Sequence, residues 1–216
     1  MPFKNLLSSL PIVKREVRVR KLKKNIKIIK ISKKFGRQYF DGTREFGYGG
    51  YKYDGRWKPV AKDIVRFFKL NKNDRILDIG CAKGFLVKDL LDAGINAFGI
   101  DVSEYAIKNC HPDVVGRVSV ANAKKLPFPS NSFDAVISIN CIHNLKLFEC
   151  KKAIKEIMRV TVDNKNFIQV DSYRNTKEKK LFLDWVLTAE THFYPRKWVE
   201  IFKKCGYKGF WCWTLL

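Results

Sequence analysis

Small residues and a carboxylate follow one another in the segment Leu77-Asp78-Ile79-Gly80-Cys81-Ala82-Lys83-Gly84-Phe85, where an apolar run gives way to a helical pattern. Glycines at a strand-to-helix turn let the backbone approach a ligand closely, and the start of the helix supplies unpaired N–H groups. We therefore expect a nucleotide-like ligand here. A dinucleotide fingerprint would need G-x-G-x-x-G, so the spacing of Gly80, Ala82 and Gly84 does not favour pyrophosphate binding.

A second carboxylate, Asp101, stands at the end of the next predicted strand. A carboxylate in that place can accept hydrogen bonds from both hydroxyls of a ribose. The turn and Asp101 together predict a pocket for an adenosyl group.

With these residues the sequence resembles the class I S-adenosylmethionine-dependent methyltransferases, whose first motif is an acidic residue followed by G-x-G-x-G after strand one. Ala82 replaces the middle glycine. The resemblance continues through 122–129 and 132–136 in the family's order and spacing, and it covers roughly residues 57–170. It implies S-adenosyl-L-methionine as cofactor and S-adenosyl-L-homocysteine as product. A Rossmann-like fold that binds a different ligand is the alternative.

The resemblance also assigns the cofactor contacts. Where Asn122 stands, the family commonly has an Asp that contacts the adenine amino group, and the amide oxygen of Asn122 can accept the same hydrogen bond. The expected cofactor-binding residues are Asp78, Gly80, Cys81, Gly84, Phe85, Asp101, Val102, Asn122, Ala123 and Asn140. No metal site is expected, because no cluster has zinc-ligand spacing.

Apolar runs and helical periodicities alternate from residue 57 onward. The patterns predict helices over 57–70, 83–93, 103–110, 148–160, 177–188 and 195–205, and strands over 75–79, 96–100, 116–121, 133–139, 166–170 and 207–215. The fold class is therefore α/β, with a doubly wound and mostly parallel sheet. The resemblance implies that this sheet is Rossmann-like and has class I methyltransferase architecture. We divide the chain into a basic N-terminal extension, 1–40, and a methyltransferase domain, 41–216, whose Gly- and Tyr-rich segment 41–57 is an expected lid.

Methyl transfer from a sulfonium is an in-line displacement, so the protein must hold the acceptor atom on the methyl axis and remove its proton. Residues 140–144 and 171–174 follow predicted strands whose ends meet the cofactor. We expect His143 to be the base, with Asp171 as its partner or its replacement; a histidine that only fills the loop is an equal alternative. The expected substrate or lid residues are Tyr48, Tyr51, Tyr53, Trp57, Asn144 and Arg174, and Arg174 is a candidate to hold Asp171.

The other two histidines have less defined roles. His192 either lines the acceptor pocket or lies on the surface, and His111 is expected to be solvated. The six cysteines form no CxxC pair and are expected to be reduced thiols.

The net charge of +22 is concentrated near the start of the chain, because residues 1–40 hold 13 Lys and Arg and one acidic residue. We expect this extension to add charge but bury little surface, so that a chain beginning near Gln38 folds and binds cofactor. Weak contact with anionic lipid or nucleic acid is one reading of the charge, and a compositional bias toward lysine is the other.

The predicted function is methyl transfer to a hydroxyl or amine of a small molecule or sugar. The segments 47–57, 81–85 and 170–174 also resemble a subgroup of uncharacterised bacterial methyltransferases, some of which lie among surface-polysaccharide genes. A nucleic-acid methyltransferase is the first alternative, although the chain has no N/D-P-P-Y/F motif and no Pro-Cys nucleophile. A non-catalytic adaptor is the second. The expected location is cytoplasmic, with peripheral contact at the inner face of the membrane as a variant.

Overall fold

The positions of the helices and strands follow the periodicities of the sequence closely. The computed structural model describes residues 1–11 and 16–215, so residues 12–15 of the predicted extension and residue 216 lie outside the described residues. The helices are α1 (Val17–Lys23), α2 (Ile26–Ser32), α3 (Arg37–Asp41), α4 (Lys58–Phe68), α5 (Phe85–Asp92), α6 (Glu104–Lys108), α7 (Leu147–Val160), α8 (Thr176–Trp185) and α9 (Pro195–Lys204). The strands are β1 (Arg75–Ile79), β2 (Asn96–Asp101), β3 (Val118–Val120), β4 (Ala135–Ser138), β5 (Asn166–Asp171) and β6 (Phe210–Thr214).

The six strands form one sheet in the order β3-β2-β1-β4-β5-β6, and every pairing between neighbours is parallel. This arrangement confirms the predicted α/β fold. The chain order reverses between β1 and β4, and ligands of open parallel sheets bind at such a reversal, beyond the carboxyl ends of the strands. The predicted ligand turn follows β1, and the predicted acceptor loop follows β4.

Each face of the sheet is covered by helices. On one face, α4 and α5 pack against Ile76, Ala97 and Ile137. On the other, α7 and α9 pack against Leu77, Val136 and Ile168. Alternate residues of each strand therefore enter opposite cores, which fixes the register and holds the strand ends together at one edge.

The first residues of the chain are packed into the molecule. Leu6 is 3% exposed and Leu7 is 8% exposed, and both belong to the same core as α4 and α5. Residues 2–4 lie beside β6, where Lys4 N–H donates to the carbonyl of Trp211 at 2.9 Å. The expectation that this segment buries little surface is therefore wrong, because its scattered apolar residues find partners that are distant in sequence.

The short helices α1 to α3 lie over the carboxyl edge of the sheet. Arg20 of α1 is 7% exposed, and its Nη2 donates to the carbonyl oxygens of Arg44 at 2.6 Å and Gly47 at 2.7 Å. The guanidinium lies 3.8 Å from the centre of the Trp185 ring on α8. A basic residue therefore serves as a structural anchor between the extension, the predicted lid and α8. The boundary near Phe40 stays a prediction.

Among the described helices, none combines the length and the apolar character needed to cross a bilayer.

Candidate active site

The turn after β1 is shaped by two glycines in the left-handed region of backbone conformation. Gly80 has φ 85° and Gly84 has φ 76°. A Cβ on Gly80 would lie 2.5 Å from the Cβ of Cys141, and a Cβ on Gly84 would lie 2.8 Å from Cγ2 of Val114. Conformation and packing both require glycine at these positions, and they also explain why α5 begins at Phe85 instead of residue 83.

Ala82, which departs from the family motif, has φ 51°. A residue with a Cβ pays roughly 1–2 kcal/mol in this conformation, which gives a physical reason for the family's glycine. The N–H of Ala82 donates to Oδ2 of Asp101 at 2.8 Å. The substitution therefore preserves the turn and links it to the second carboxylate.

Two carboxylates face the turn from neighbouring strands. Asp78 in β1 is 4% exposed, and Asp101 ends β2, where its Oδ1 accepts from the backbone N–H of Ser103 at 2.8 Å. Burial, with the charge of Asp101 as a second cause, raises the pKa of Asp78 to about 7. Burial also raises the pKa of Asp101, against the opposing effect of its backbone hydrogen bonds.

No lysine or arginine of the described residues pairs with either carboxylate. Two buried acids without a cation would repel a pyrophosphate and attract a ligand that carries positive charge. The sulfonium and ammonium groups of S-adenosylmethionine are charges of that kind, and the lone pairs left on Asp101 can accept ribose hydroxyls. The arrangement fits the predicted cofactor.

The remaining residues expected to bind the cofactor differ in how deeply they are buried. Asn122 is half-buried, and its Oδ1 accepts from the N–H of Lys124 at 3.1 Å, whereas Val102 is 53% exposed. Ala123 is buried in the core beneath α7, and the side chain of Cys81 is buried in the opposite core. Cys81 and Ala123 are therefore placed to offer backbone groups to a ligand, because their side chains point into packed interior.

The predicted lid covers this pocket with aromatic rings. Tyr51 stacks on Phe85, with ring centres 4.7 Å apart and an angle of 19° between the ring planes. The ring centres of Tyr48 and Tyr51 are 4.3 Å apart. The hydroxyl of Tyr53 donates to Asp89 at 2.5 Å, while Trp57 packs at the edge of the α4 core. Burial, followed by the charge of Asp78, raises the pKa of Tyr51. The phenol of Tyr51 therefore lies near the carboxylate expected to meet the cofactor.

An ion pair fastens the lid to the glycine turn. The Nζ of Lys83 donates to Asp41 at 2.7 and 2.8 Å, and the hydroxyl of Tyr105 donates to the same carboxylate at 2.7 Å. Lys83 has a side chain only 10% exposed. Burial acts to raise the pKa of Asp41, but these hydrogen bonds prevail and lower it. The sequence did not reveal the roles of Asp41 and Tyr105, because Asp41 is 42 positions from Lys83 and 64 positions from Tyr105.

The acceptor end lies beyond β4 and β5, where the structure brings His143 and Asp171 together. The Nδ1 of His143 accepts the backbone N–H of Asp171 at 3.2 Å, and its Nε2 lies 3.5 Å from Oδ2 of Asp171. The His143 side chain is 4% exposed and that of Asp171 is 22% exposed. Burial lowers the pKa of His143, and the charge of Asp171 partly offsets this.

Two hydrogen bonds of Asn140 hold the loop after β4 in place. Asn140 has φ 51°, and its N–H donates to Oε1 of the buried Gln169 at 2.7 Å. The Nδ2 of Asn144 donates to the carbonyl of Asn140 at 3.0 Å. Gln169 was missed because nothing in a strand sequence marks which polar residue will support a neighbouring loop.

The structure differs from expectation for Arg174 and for His111. Arg174 pairs with Glu178, so it does not hold Asp171; the i,i+4 spacing of the two residues was the available signal. Nδ1 of His192 lies 3.2 Å from the hydroxyl of Tyr173, which places His192 beside the residues that follow β5. His111, expected to be solvated, instead packs edge-on against Tyr53 with centres 4.9 Å apart, and its side chain is 19% exposed.

Comparison with known proteins finds a methyltransferase domain in the middle of the chain. Residues 77–168 match a family described as a methyltransferase domain. The Caenorhabditis elegans sterol 4-C-methyltransferase strm-1 is 30% identical over 147 residues, which cover 62% of this chain and 42% of that protein. The Synechocystis 2-methyl-6-phytyl-1,4-hydroquinone methyltransferase is 30% identical over 143 residues, which cover 56% and 44%. The chain thus spans less than half the length of these curated relatives.

A solved structure agrees on the fold. An S-adenosylmethionine-dependent methyltransferase from Methanosarcina mazei superposes with a TM-score of 0.54 at 24% identity, over 66% of this chain and 82% of that one. The family match begins inside β1 and ends inside β5, so it contains Asp78, Asp101 and the turn between them. Residues 77–168 therefore form a methyltransferase domain, and the fold and the relatives are those of S-adenosylmethionine-dependent methyltransferases, whose cofactor is S-adenosyl-L-methionine.

Proposed function

We propose that this protein transfers the methyl group of S-adenosylmethionine to a hydroxyl or amine of a small molecule or sugar and releases S-adenosylhomocysteine. The observation that carries the proposal is the His143–Asp171 pair at the ends of β4 and β5. The end of β4 lies next to the end of β1, which leads into the cofactor turn, and β5 lies on the other side of β4. A proton-accepting group at that point suits an acceptor that must lose a proton.

The cofactor pocket supplies position and charge. Asp78 and Asp101 would face the cationic and ribose parts of the cofactor, and Asn122 would face its base. The lid rings of Tyr48 and Tyr51 would exclude water, which raises the strength of the electrostatic contacts inside. The sulfonium supplies the methyl group when the cofactor is bound.

In the transfer step, the acceptor oxygen or nitrogen forms a bond to the methyl carbon while the bond from carbon to sulfur breaks, and its electron pair stays on sulfur. We propose that the acceptor's proton passes to the carboxylate of Asp171. The Nδ1 lone pair of His143 is already occupied by the backbone N–H of Asp171, so Nε2 carries the hydrogen and faces Oδ2. This geometry favours Asp171 as the base and His143 as the residue that positions it. The sequence predicts His143 as the base and Asp171 as its partner or its replacement, and the contacts of the pair support the second of those alternatives.

The test uses full-length protein, S-adenosylmethionine labelled in the methyl group, and cell extract separated afterwards into nucleic acid, lipid, glycan and small molecules. We expect label in the glycan or small-molecule fraction and none with an Asp101→Ala variant. Label confined to nucleic acid would contradict the proposed acceptor class. Absence of S-adenosylhomocysteine in every fraction would contradict the proposed reaction and favour a binding role for the fold.

A further inference from the structure

The outer side of α1 and α2 exposes apolar side chains that no described residue covers. Leu22 is 87% exposed, Ile26 is 73% exposed and Val19 is 49% exposed. In α1 the residues that face inward are different ones, since Arg20 reaches the lid and Trp185. Single exposed apolar residues are ordinary, but three within eight positions on short packed helices form a patch.

Helix α8 extends the same surface. Lys21 of α1 pairs with Asp184 at 3.1 Å, and Nζ of Lys24 donates to the carbonyl of Leu183 at 2.5 Å, so α1 lies directly against α8. Leu181 and Leu183 are each 41% exposed. We call the combined surface the α1–α8 face; its apolar members are Val19, Leu22, Ile26, Leu181 and Leu183.

Exposed basic residues lie on the same helices as these apolar side chains, or just after them. They share the property of making no ion pair with any acid in the described ranges, which leaves their charge available to a partner; they are Arg18, Lys27, Lys30, Lys34, Lys177 and Lys180. Exposed aliphatic side chains with unpaired lysines near them suit the interfacial region of an anionic bilayer. The aliphatic side chains can enter the acyl-chain boundary, and the lysines can pair with lipid phosphates.

We infer that the α1–α8 face docks the protein onto membranes that contain anionic phospholipid. Nucleic acid fits this face less well, because Leu, Ile and Val cannot stack on bases and single strands are held through aromatic platforms. A second copy also fits poorly, since two such faces would bring their unpaired lysines together. The face adjoins the predicted lid through Arg20, whose guanidinium also lies over the Trp185 ring of α8, so a docked molecule keeps the predicted lid near the lipid surface.

The experiment is cosedimentation of the full-length protein with sucrose-loaded vesicles of phosphatidylcholine alone, or of equal parts phosphatidylcholine and phosphatidylglycerol, at low and high salt. We expect binding to the anionic vesicles, none to neutral ones, and release by salt. Leu22→Ser with Ile26→Ser should weaken binding by about tenfold or more, because two exposed aliphatic side chains no longer enter the interface. Lys27→Gln with Lys30→Gln should also weaken it by about tenfold or more.

Matched controls lie elsewhere on the surface. Val115 is 72% exposed and Val162 is 52% exposed, and Val115→Ser with Val162→Ser should leave vesicle binding unchanged. Lys62→Gln with Lys72→Gln removes the same charge outside the face. Equal losses in the controls, or no sedimentation of folded wild-type protein with anionic vesicles, would overturn the inference. Binding of a labelled single-stranded RNA that survives the Leu22 and Ile26 substitutions, in protein that ignores vesicles, would assign the charge to nucleic acid instead.

Discussion

The cofactor pocket and the acceptor end both place carboxylates at the edge of the sheet, but the groups that surround these carboxylates differ. In the cofactor pocket, Asp101 accepts backbone N–H groups and Asp78 is buried beside it, and no lysine or arginine in the described part of the chain pairs with either carboxylate. At the acceptor end, both ring nitrogens of His143 are directed at Asp171. The cofactor pocket is electrostatically incomplete until a ligand arrives, whereas the acceptor end is organised beforehand. Substitutions in the first should therefore change binding, and substitutions in the second should change turnover.

The largest effect is expected at Asp171. Asp171→Asn should lower turnover by about a thousandfold, because an amide cannot take the acceptor's proton. His143→Gln should cost less than about tenfold, since the amide oxygen can accept the N–H of Asp171 and the amide nitrogen can donate to its carboxylate. Release of S-adenosylhomocysteine at saturating cofactor, with the extract fraction that takes up the labelled methyl group as the acceptor, measures both.

The pH profile separates positioning from base catalysis. Burial lowers the pKa of His143, so wild-type turnover should be constant near neutral pH and fall on the acid side, below the ordinary histidine value of about 6.5. His143→Gln should remove that acid limb. Glu200→Gln, a carboxyl-to-amide change on the surface of α9, is the control. If His143→Gln were as inactive as Asp171→Asn, the imidazole itself would be the base.

The second effect concerns cofactor affinity. Asp101→Ala should weaken S-adenosylhomocysteine binding by about a hundredfold, because two hydroxyls lose a charged acceptor. Titration calorimetry measures the change, and circular dichroism checks that the turn held by Asp101 still folds. Asp113→Ala removes an exposed carboxylate as the matched control. Unchanged affinity in Asp101→Ala would remove the ribose contact and with it the proposed pocket.

A smaller effect is expected when pH changes the relative affinities for the cofactor and its product. Burial, with the charge of Asp101, raises the pKa of Asp78 to about 7, so the residue is largely protonated below that value and ionised above it. The affinity for the sulfonium cofactor, relative to the neutral thioether product, should therefore rise several-fold as pH increases through about 7. Asp78→Asn should flatten this ratio. A ratio that is independent of pH in the wild-type protein would place the sulfonium away from Asp78.

The smallest effect is expected at the contact between Lys83 and Asp41. Lys83→Met should speed cofactor dissociation by a few-fold, because the lid loses a mostly buried ion pair while its aromatic contacts remain. Stopped-flow displacement measures the rate. Lys108→Met removes a lysine of a fully exposed pair on α6 and should change nothing. Equal rates in both variants would mean that the ion pair does not govern opening.

The sequence predicts the cofactor end well because its signals are local. An apolar run, two glycines and a carboxylate within nine residues define the turn, and the next strand places Asp101 by a fixed register with β1. The acceptor end is predicted less completely. The sequence places His143 and Asp171 after neighbouring strands, but the direction of the imidazole depends on a contact across 28 residues.

The first 40 residues are the least predictable part. Their basic residues suggest a solvated segment, yet Arg20 is an interior anchor whose partners lie up to 165 positions away. Neither periodicity nor charge distinguishes such an arginine from its exposed neighbours. The break between α1 and α2 is more local, because Asn25 accepts the N–H of Ile28 at 3.0 Å and starts a new helix.

The contact between residues 2–4 and β6 has a consequence for the order of events during synthesis. Lys4 donates to the carbonyl of Trp211, and Phe3 pairs with the same residue at the outer strand of the sheet. The ribosome releases Phe3 long before Trp211 exists, so these early residues cannot reach their native partner until nearly the whole chain has been made. Residues 2–4 therefore lack their final docking place until β6 has been made, and the pairing of β6 with β5 and the packing of residues 2–4 are completed together, late in synthesis.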